Sequence, residues 1–226
     1  NDVEKGAIFK IPTTGGEPEK LTSKKGIYRT PSYAPNGNSI VFRKEKGNTD
    51  QGLTFTKEPG IYIMDSNGGN ESKIASKGEY PIFTKDGKRI FLQTGGTYFG
   101  NNTKDLISVN LQGNDERKHL TSKYANRLVP SPDNNWIAFS NLHKVYLAPL
   151  VLNGQTIDLD SKSKSVPVSQ IAKDAGINLH WSPNSNNVMW TLGDEYFSNE
   201  IKNRFTFLPD SPTTIPDITT EGIKIG

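Results

Sequence analysis

Apolar residues fall on alternate positions in four short runs: Ile40 and Phe42, Ile90 and Leu92, Ile137 and Phe139, Val188 and Trp190. Period two with β-branched and aromatic residues predicts a strand with a buried face. A turn signal precedes each run: Asn36-Gly37, Asp86-Gly87, Asp133-Asn134 or Asn184-Ser185. Asn-Gly and Asp-Gly accept the positive φ that tight hairpin turns require. Pro35, Pro132 and Pro183 fix φ one residue earlier and prime the reversal. The segment before each turn ends on a bulky or ring residue: Tyr33, Phe83, Pro130 or Trp181. Each copy therefore reads as a β-hairpin.

The copies span Pro31–Phe42, Pro81–Leu92, Leu128–Phe139 and Leu179–Trp190, with starts 50, 47 and 51 residues apart. A second set of strand-like segments interleaves with them: Ala7–Ile11, Ile61–Asp65, Leu106–Asn110 and Val145–Leu150. The first three run into Gly15-Gly16, Gly68-Gly69 and Gln112-Gly113, then into a polar strand closing on Leu21, Ile74 or Leu120. Two hairpins per period make four strands, which is one propeller blade. A β-sandwich also has frequent turns but gives no reason for one turn chemistry to return at this longer spacing. The predicted fold is all-β: a β-propeller of four-stranded antiparallel blades, about four to five of them. Residues 6–22 supply only the second half of a blade. Either that half pairs with the last blade and closes a small ring, or the chain is a fragment of a larger propeller; the fragment is the expectation. Helix signals are scarce: 165–176 suggests one short helical turn, and 195–207 is ambiguous between strand and helix.

With 226 residues and 33% hydrophobic content, the chain is long enough to bury a real core. No stretch approaches the roughly 18–20 apolar residues of a membrane span. The 27 basic and 24 acidic residues are interspersed and leave a net charge of +3. Without a basic face interleaved with aromatics, no nucleic acid partner is expected. Cysteine is absent, which removes disulfides and thiolate chemistry. A start at Asn1, without Met or a signal sequence, suggests a processed or truncated product.

The Ser-Pro-Asp/Asn turns, followed by Gly-Gly hairpins, resemble the repeats of TolB-like β-propellers, over about residues 6–192. The propellers of Tricorn and prolyl-oligopeptidase-type proteases share much of the pattern. The copies are degenerate: Lys85 replaces Pro in the second, and Asn134 or Ser185 replaces Gly in the last two. The tail Arg204–Gly226 is similar to the connector that, in some large secreted bacterial amidohydrolases, leads from such a propeller into a metal-binding catalytic domain. That resemblance implies a propeller segment over 1–208, an extended linker over 209–226 and a periplasmic or secreted location. The partner it implies is the C-terminal hydrolase domain of the same polypeptide or another protein. Pro209, Pro212 and Pro216 independently disfavour helix and central strand. The family's hydrolytic metal site uses a His-x-His motif, which this chain lacks; it has only His119, His143 and His180.

The sequence carries no nucleophile elbow, zinc-protease helix, phosphate loop or dinucleotide fingerprint. No catalytic residue, metal ligand or cofactor is assigned. The three histidines fall at different points of the repeat, and only His180 is expected to see a central channel. Asp158 and Asp160 flank a Leu and read as solvated. Long loops on one face of a rigid scaffold are the usual carriers of recognition. Two such loops, 44–59 and 94–104, bring Phe55, Tyr98 and Phe99. The starts of the innermost strands place Arg29, Tyr80, Arg127 and His180 on the same side. These seven are the candidate binding residues. The expected function is a non-catalytic binding, scaffolding or substrate-gating module beside a metal-dependent amidohydrolase domain. The alternatives are a lyase or lactonase with its own channel metal, or the gating propeller of a serine peptidase. Exposed blade faces would favour self-association.

Overall fold

The computed structural model describes residues 6–24, 26–48, 53–54, 58–96, 102–218 and 222–225. It begins with an isolated antiparallel pair, β1 (Phe9–Lys10) and β2 (Glu19–Lys20). The first four-stranded sheet contains β3 (Tyr28–Tyr33) and β4 (Ser39–Lys44). A small hairpin, β5 (Gly47–Asn48) and β6 (Leu53–Thr54), interrupts it before β7 (Gly60–Asp65) and β8 (Ser72–Ala75) complete the order β3-β4-β7-β8. The second sheet runs β9 (Glu79–Phe83), β10 (Arg89–Gly95), β11 (Thr103–Asn110) and β12 (Arg117–Lys123). Next come β13 (Ala125–Pro130), β14 (Trp136–Asn141) and β15 (Lys144–Pro149). The following strand, β16 (Ile157–Asp158), adds in parallel to the outer edge of β12, and β17 (Ser169–Ala175) closes the third sheet. The fourth sheet is β18 (Ile177–Trp181), β19 (Asn187–Leu192), β20 (Glu195–Glu200) and β21 (Ile223–Lys224). Every blade is thus an antiparallel meander, as the two-hairpin period predicts.

The repeated turn is built the same way four times. Backbone N–H groups of Ala34, Thr84, Ser131 and Ser182 bond the carbonyls five residues ahead, at 2.8–2.9 Å. The turn residues Gly37, Gly87, Asn134 and Ser185 all take positive φ, between 63° and 73°. Side chains satisfy the rest. Ser131 donates to the Asp133 carboxylate and accepts the Trp136 N–H at 3.0 Å, while Asp133 accepts the Asn135 N–H at 3.1 Å. Thr84 with Asp86, and Ser182 with Asn184, repeat that arrangement. The Ser/Thr-x-Asp/Asn pattern is therefore a hydrogen-bonding device that supplies partners to the turn's backbone N–H groups.

Two expectations need correction. The second strand of the first three blades is buried on both faces where only one was expected: Ile40, Val41 and Phe42 are all at most 2% exposed, as are Ile90, Phe91, Leu92, Ile137, Ala138 and Phe139; β19 of the fourth keeps the expected alternation, with Val188 and Trp190 buried and Met189 between them only half-buried. A sheet covered on both sides needs a continuous apolar run. The segment 165–176, expected to hold a helical turn, instead contains β17, because its backbone pairs with β15. The ambiguous stretch 195–207 holds β20 followed by a single 3-10 turn, Ile201–Asn203.

The chain divides into two compact units, Asn1–Thr94 with Ile107–Arg117, and Gly95–Leu106 with Lys118–Gly226. In the first unit, Ile40, Phe42 and Met64 pack with Ile8 and Leu21, which flank the β1–β2 pair. Val41 and Ile61, on the other face, pack with Phe83, Ile90, Leu92 and Ile107. In the second unit, Val129, Ala138, Leu147 and Ile171 meet Leu179, Trp181, Val188 and Trp190. The Trp181 indole N–H donates to the Val129 carbonyl at 2.8 Å inside that core.

Candidate functional site

The first strand of each blade carries a bulge near its start. The register of β3 against β4 slips between Arg29 and Ser32, and that of β9 against β10 slips opposite Phe91–Gln93. Equivalent slips separate Ala125 from Arg127 and Ile177 from His180. Thr30, Tyr80 and Asn178 occupy these bulges at φ 48°, 51° and 54°, a region that L-residues with side chains rarely adopt. Bulges re-aim side chains and gather next to functional sites.

The sequence-predicted residues land at or beside these bulges. Arg29 is exposed on β3 and pairs with Glu45 at 3.0 Å. Tyr80 is half-buried on β9, and Arg127 is half-buried on β13. His180 is exposed on β18; its Nδ1 lies 2.6 Å from the Asn178 carbonyl and its Nε2 lies 3.3 Å from the Tyr196 hydroxyl. Nδ1 therefore carries the proton in the neutral ring, and Nε2 accepts from Tyr196. Glu45 beside Arg29, and Asn178 and Tyr196 beside His180, each lie in the same blade as the residue they contact. Phe55, Tyr98 and Phe99 lie outside the described residues.

The second unit contains a cleft of ≈ 510 Å³ lined by Gly96, Asn102, Lys104, Tyr124, Ala125, Asn126, Leu142 and His143. Three pieces of chain build it. Asn102 and the start of β11 form the first, with Lys104, whose ammonium donates to the Gly95 carbonyl at 3.0 Å. The start of β13 brings Tyr124, whose N–H donates to the Asn102 carbonyl at 3.2 Å. The β14–β15 turn brings Leu142 and His143; the Leu142 N–H bonds the Tyr124 carbonyl at 3.3 Å. The Asn141 amide fastens the turn to the Lys123 carbonyl at 2.9 Å.

Backbone strain concentrates here. Asn141 pairs directly with Lys144, so Leu142-His143 is a two-residue turn, with φ 46° and 73° at its centre. That turn type strongly prefers Asn-Gly. Tyr124 sits at φ 65°. Leu142 is nevertheless 64% exposed and Tyr124 43% exposed, so no core packing explains their identity. Strained, exposed, bulky residues around a cleft are a recognisable mark of a functional surface.

Sequence reasoning placed a binding face near the 94–104 loop but missed Tyr124, Leu142 and His143. A signal existed: Asn141-Leu142-His143-Lys144 joins two strands without the Gly that such a turn favours.

Other ionisable groups have structural partners. Lys44 is buried at the end of β4, ion-paired with Glu71 and 3.9 Å above the centre of the Tyr62 ring. Burial, reinforced by nearby Glu58 and Glu71, pushes the Tyr62 phenol upward. Asp160 accepts the Lys162 N–H in a turn. Among the described residues, no three His, Cys, Asp or Glu side chains group closely enough to hold a metal ion. Nor is any helix among them long and apolar enough to cross a membrane.

No family model and no curated protein matches this sequence. Solved structures do. TolB from Acinetobacter baumannii superposes with a TM-score of 0.63 at 17% identity, covering 88% of this chain and 47% of that one. The fold is a TolB-like β-propeller. An oligogalacturonate lyase in complex with manganese matches with a TM-score of 0.55 at 12% identity, covering 82% of this propeller and 50% of that chain. The oligogalacturonate lyase from Vibrio parahaemolyticus gives 0.53 at 15% identity, with the same coverage of 82% and 50%. The propeller described here thus spans about half the length of the structures it resembles.

Proposed function

We propose that this chain is a non-catalytic propeller module for binding and scaffolding, and that it engages its partner at the cleft formed by Tyr124, Leu142 and His143. One observation carries the reading: strained, solvent-facing bulky residues surround a cleft of ≈ 510 Å³ where a turn of ordinary composition would be more stable. Residues 1–208 act as the recognition body, and the 209–226 tail leads towards a metal-dependent amidohydrolase domain of the same polypeptide in the periplasm or outside the cell. The likeness of the tail to amidohydrolase connectors supports that assignment. The full open reading frame tests it, and a parent without such a domain downstream removes it.

A propeller enzyme with its own metal is the second reading, favoured by the lyase structures that share the fold. Metal analysis of the purified chain, with melts in the presence and absence of chelator, separates the two. The expected result is no stoichiometric transition metal and an unchanged Tm. A stoichiometric metal whose removal lowers Tm overturns the binding-module reading.

A further inference from the structure

We infer that the cleft takes an extended acidic peptide, its carboxylates met by Lys104 and His143 and its apolar side chains by Tyr124 and Leu142. This rests on the binding-module reading of the same cleft. The lining contains a lysine, a histidine and two asparagines but no Asp or Glu. Among the described residues, Lys104 is the one formally charged side chain of that lining, and a cation set in a concave wall raises the local concentration of anions. The Gly95 carbonyl holds the Lys104 ammonium in place. Lys123 adds a second cation at the rim, its Nζ 5.0 Å from the centre of the Tyr124 ring. Asn102 and Asn126 add polar amide side chains to the lining.

Leu142 favours a peptide over an acidic carbohydrate. Its exposed side chain has no polar atom for a hydroxylated ring and suits an aliphatic side chain instead. The cleft volume falls within the range of roughly 300–1,000 Å³ typical of ligand sites, enough for a few residues rather than a folded domain.

Fluorescence anisotropy on the full chain, with labelled hexapeptide amides, tests this. The probes are Asp/Glu-rich peptides with an interior Leu, their Asn/Gln and Lys counterparts, and an acidic oligogalacturonate. The acidic peptides should bind, weaken with added salt, and bind about tenfold more tightly than the Asn/Gln set, a ratio worth ~1.4 kcal/mol. Lys104→Gln and Tyr124→Ala should each weaken them about tenfold, with melting curves confirming folded variants. Preferential binding of neutral or basic peptides, sensitive to Tyr124→Ala, overturns the acidic assignment but leaves the binding module standing. Tighter binding of the oligogalacturonate overturns the peptide assignment. If no probe binds in a Tyr124-sensitive way, both this inference and the use of the cleft fail.

Discussion

Ser185 shows how a degenerate repeat keeps its turn. Its positive φ of 63° suits Gly, which the first two copies supply at Gly37 and Gly87. In compensation, the Ser185 hydroxyl accepts the Asp133 N–H at 3.0 Å, tying the turns of the third and fourth blades together. Ser185→Ala keeps the strain and removes that acceptor, so it should destabilise by about 1–2 kcal/mol. Ser185→Gly loses the same bond but relieves the strain, and should fall within ~1 kcal/mol of the native protein. Urea melts of the two variants check the order, and equal losses would show that the hydrogen bond alone matters.

Asp86 predicts a pH effect at the equivalent turn. The Thr84 hydroxyl, then the Lys88 backbone N–H, hold its carboxyl below the ordinary aspartate range. A depressed folded-state value contributes stability above the unfolded value of about 3.9, and that contribution disappears as the pH falls through the folded value. The native protein should therefore lose stability on acidification below pH ~4 more steeply than Asp86→Asn. Thermal melts from neutral pH to about pH 3 measure the difference, and parallel profiles would contradict it.

At the scale of elements, the Leu142-His143 turn trades stability for surface. Replacing it with Asn-Gly should relieve roughly 1 kcal/mol or more of backbone strain and raise Tm by about 2–4 °C in a protein of this size. The same change should abolish ligand capture at the cleft, and a gain in Tm without loss of binding would show the strain to be incidental. Gly176 sets the opposite limit. A Cβ there would come within 2.5 Å of a Val145 methyl carbon and 2.7 Å of the Trp190 ring. Gly176→Ala should destabilise by about 1–3 kcal/mol through overpacking. The sequence revealed these elements unevenly. The repeated hairpins were legible because turn chemistry and apolar runs are local properties, read from Asn36-Gly37 or Asp86-Gly87 alone. Burial of Val41, Phe91 and Ala138 on the second face was not, because it depends on what covers the sheet. The parallel addition of β16 to β12 was equally hidden, since a two-residue strand leaves no periodicity. The cleft was half legible: loop length pointed to 94–104, but strain at Tyr124 and Leu142 exists only once the strands are paired.

In the context of the whole chain, the tail is tied to the fourth blade at two points. Arg204 is only 5% exposed, and its guanidinium donates to the Ser169 hydroxyl at 3.2 Å, the Gln170 carbonyl at 3.0 Å and the Pro216 carbonyl at 2.9 Å. Desolvation lowers its pKa, as expected for a cation held by neutral acceptors. Beyond that clamp, β21 pairs with the edge of β20, matching Ile223 to Tyr196 and Lys224 to Glu195. Ending the chain at Leu208 would remove one acceptor from a buried charge and uncover a strand edge together. The first loss should cost about 1–3 kcal/mol, or roughly 2–12 °C in Tm at the 2–4 °C per kcal/mol of a chain this long. The second should promote self-association, because an unpaired edge is a template for another strand. Sedimentation velocity across a concentration series and a thermal melt distinguish the contributions. Arg204→Met in the full-length chain isolates the clamp: it should lower Tm while leaving the association state as in the intact chain, because β21 still covers the edge. A truncated chain as stable and as monomeric as the intact one would mean that the tail merely rests on the fourth blade.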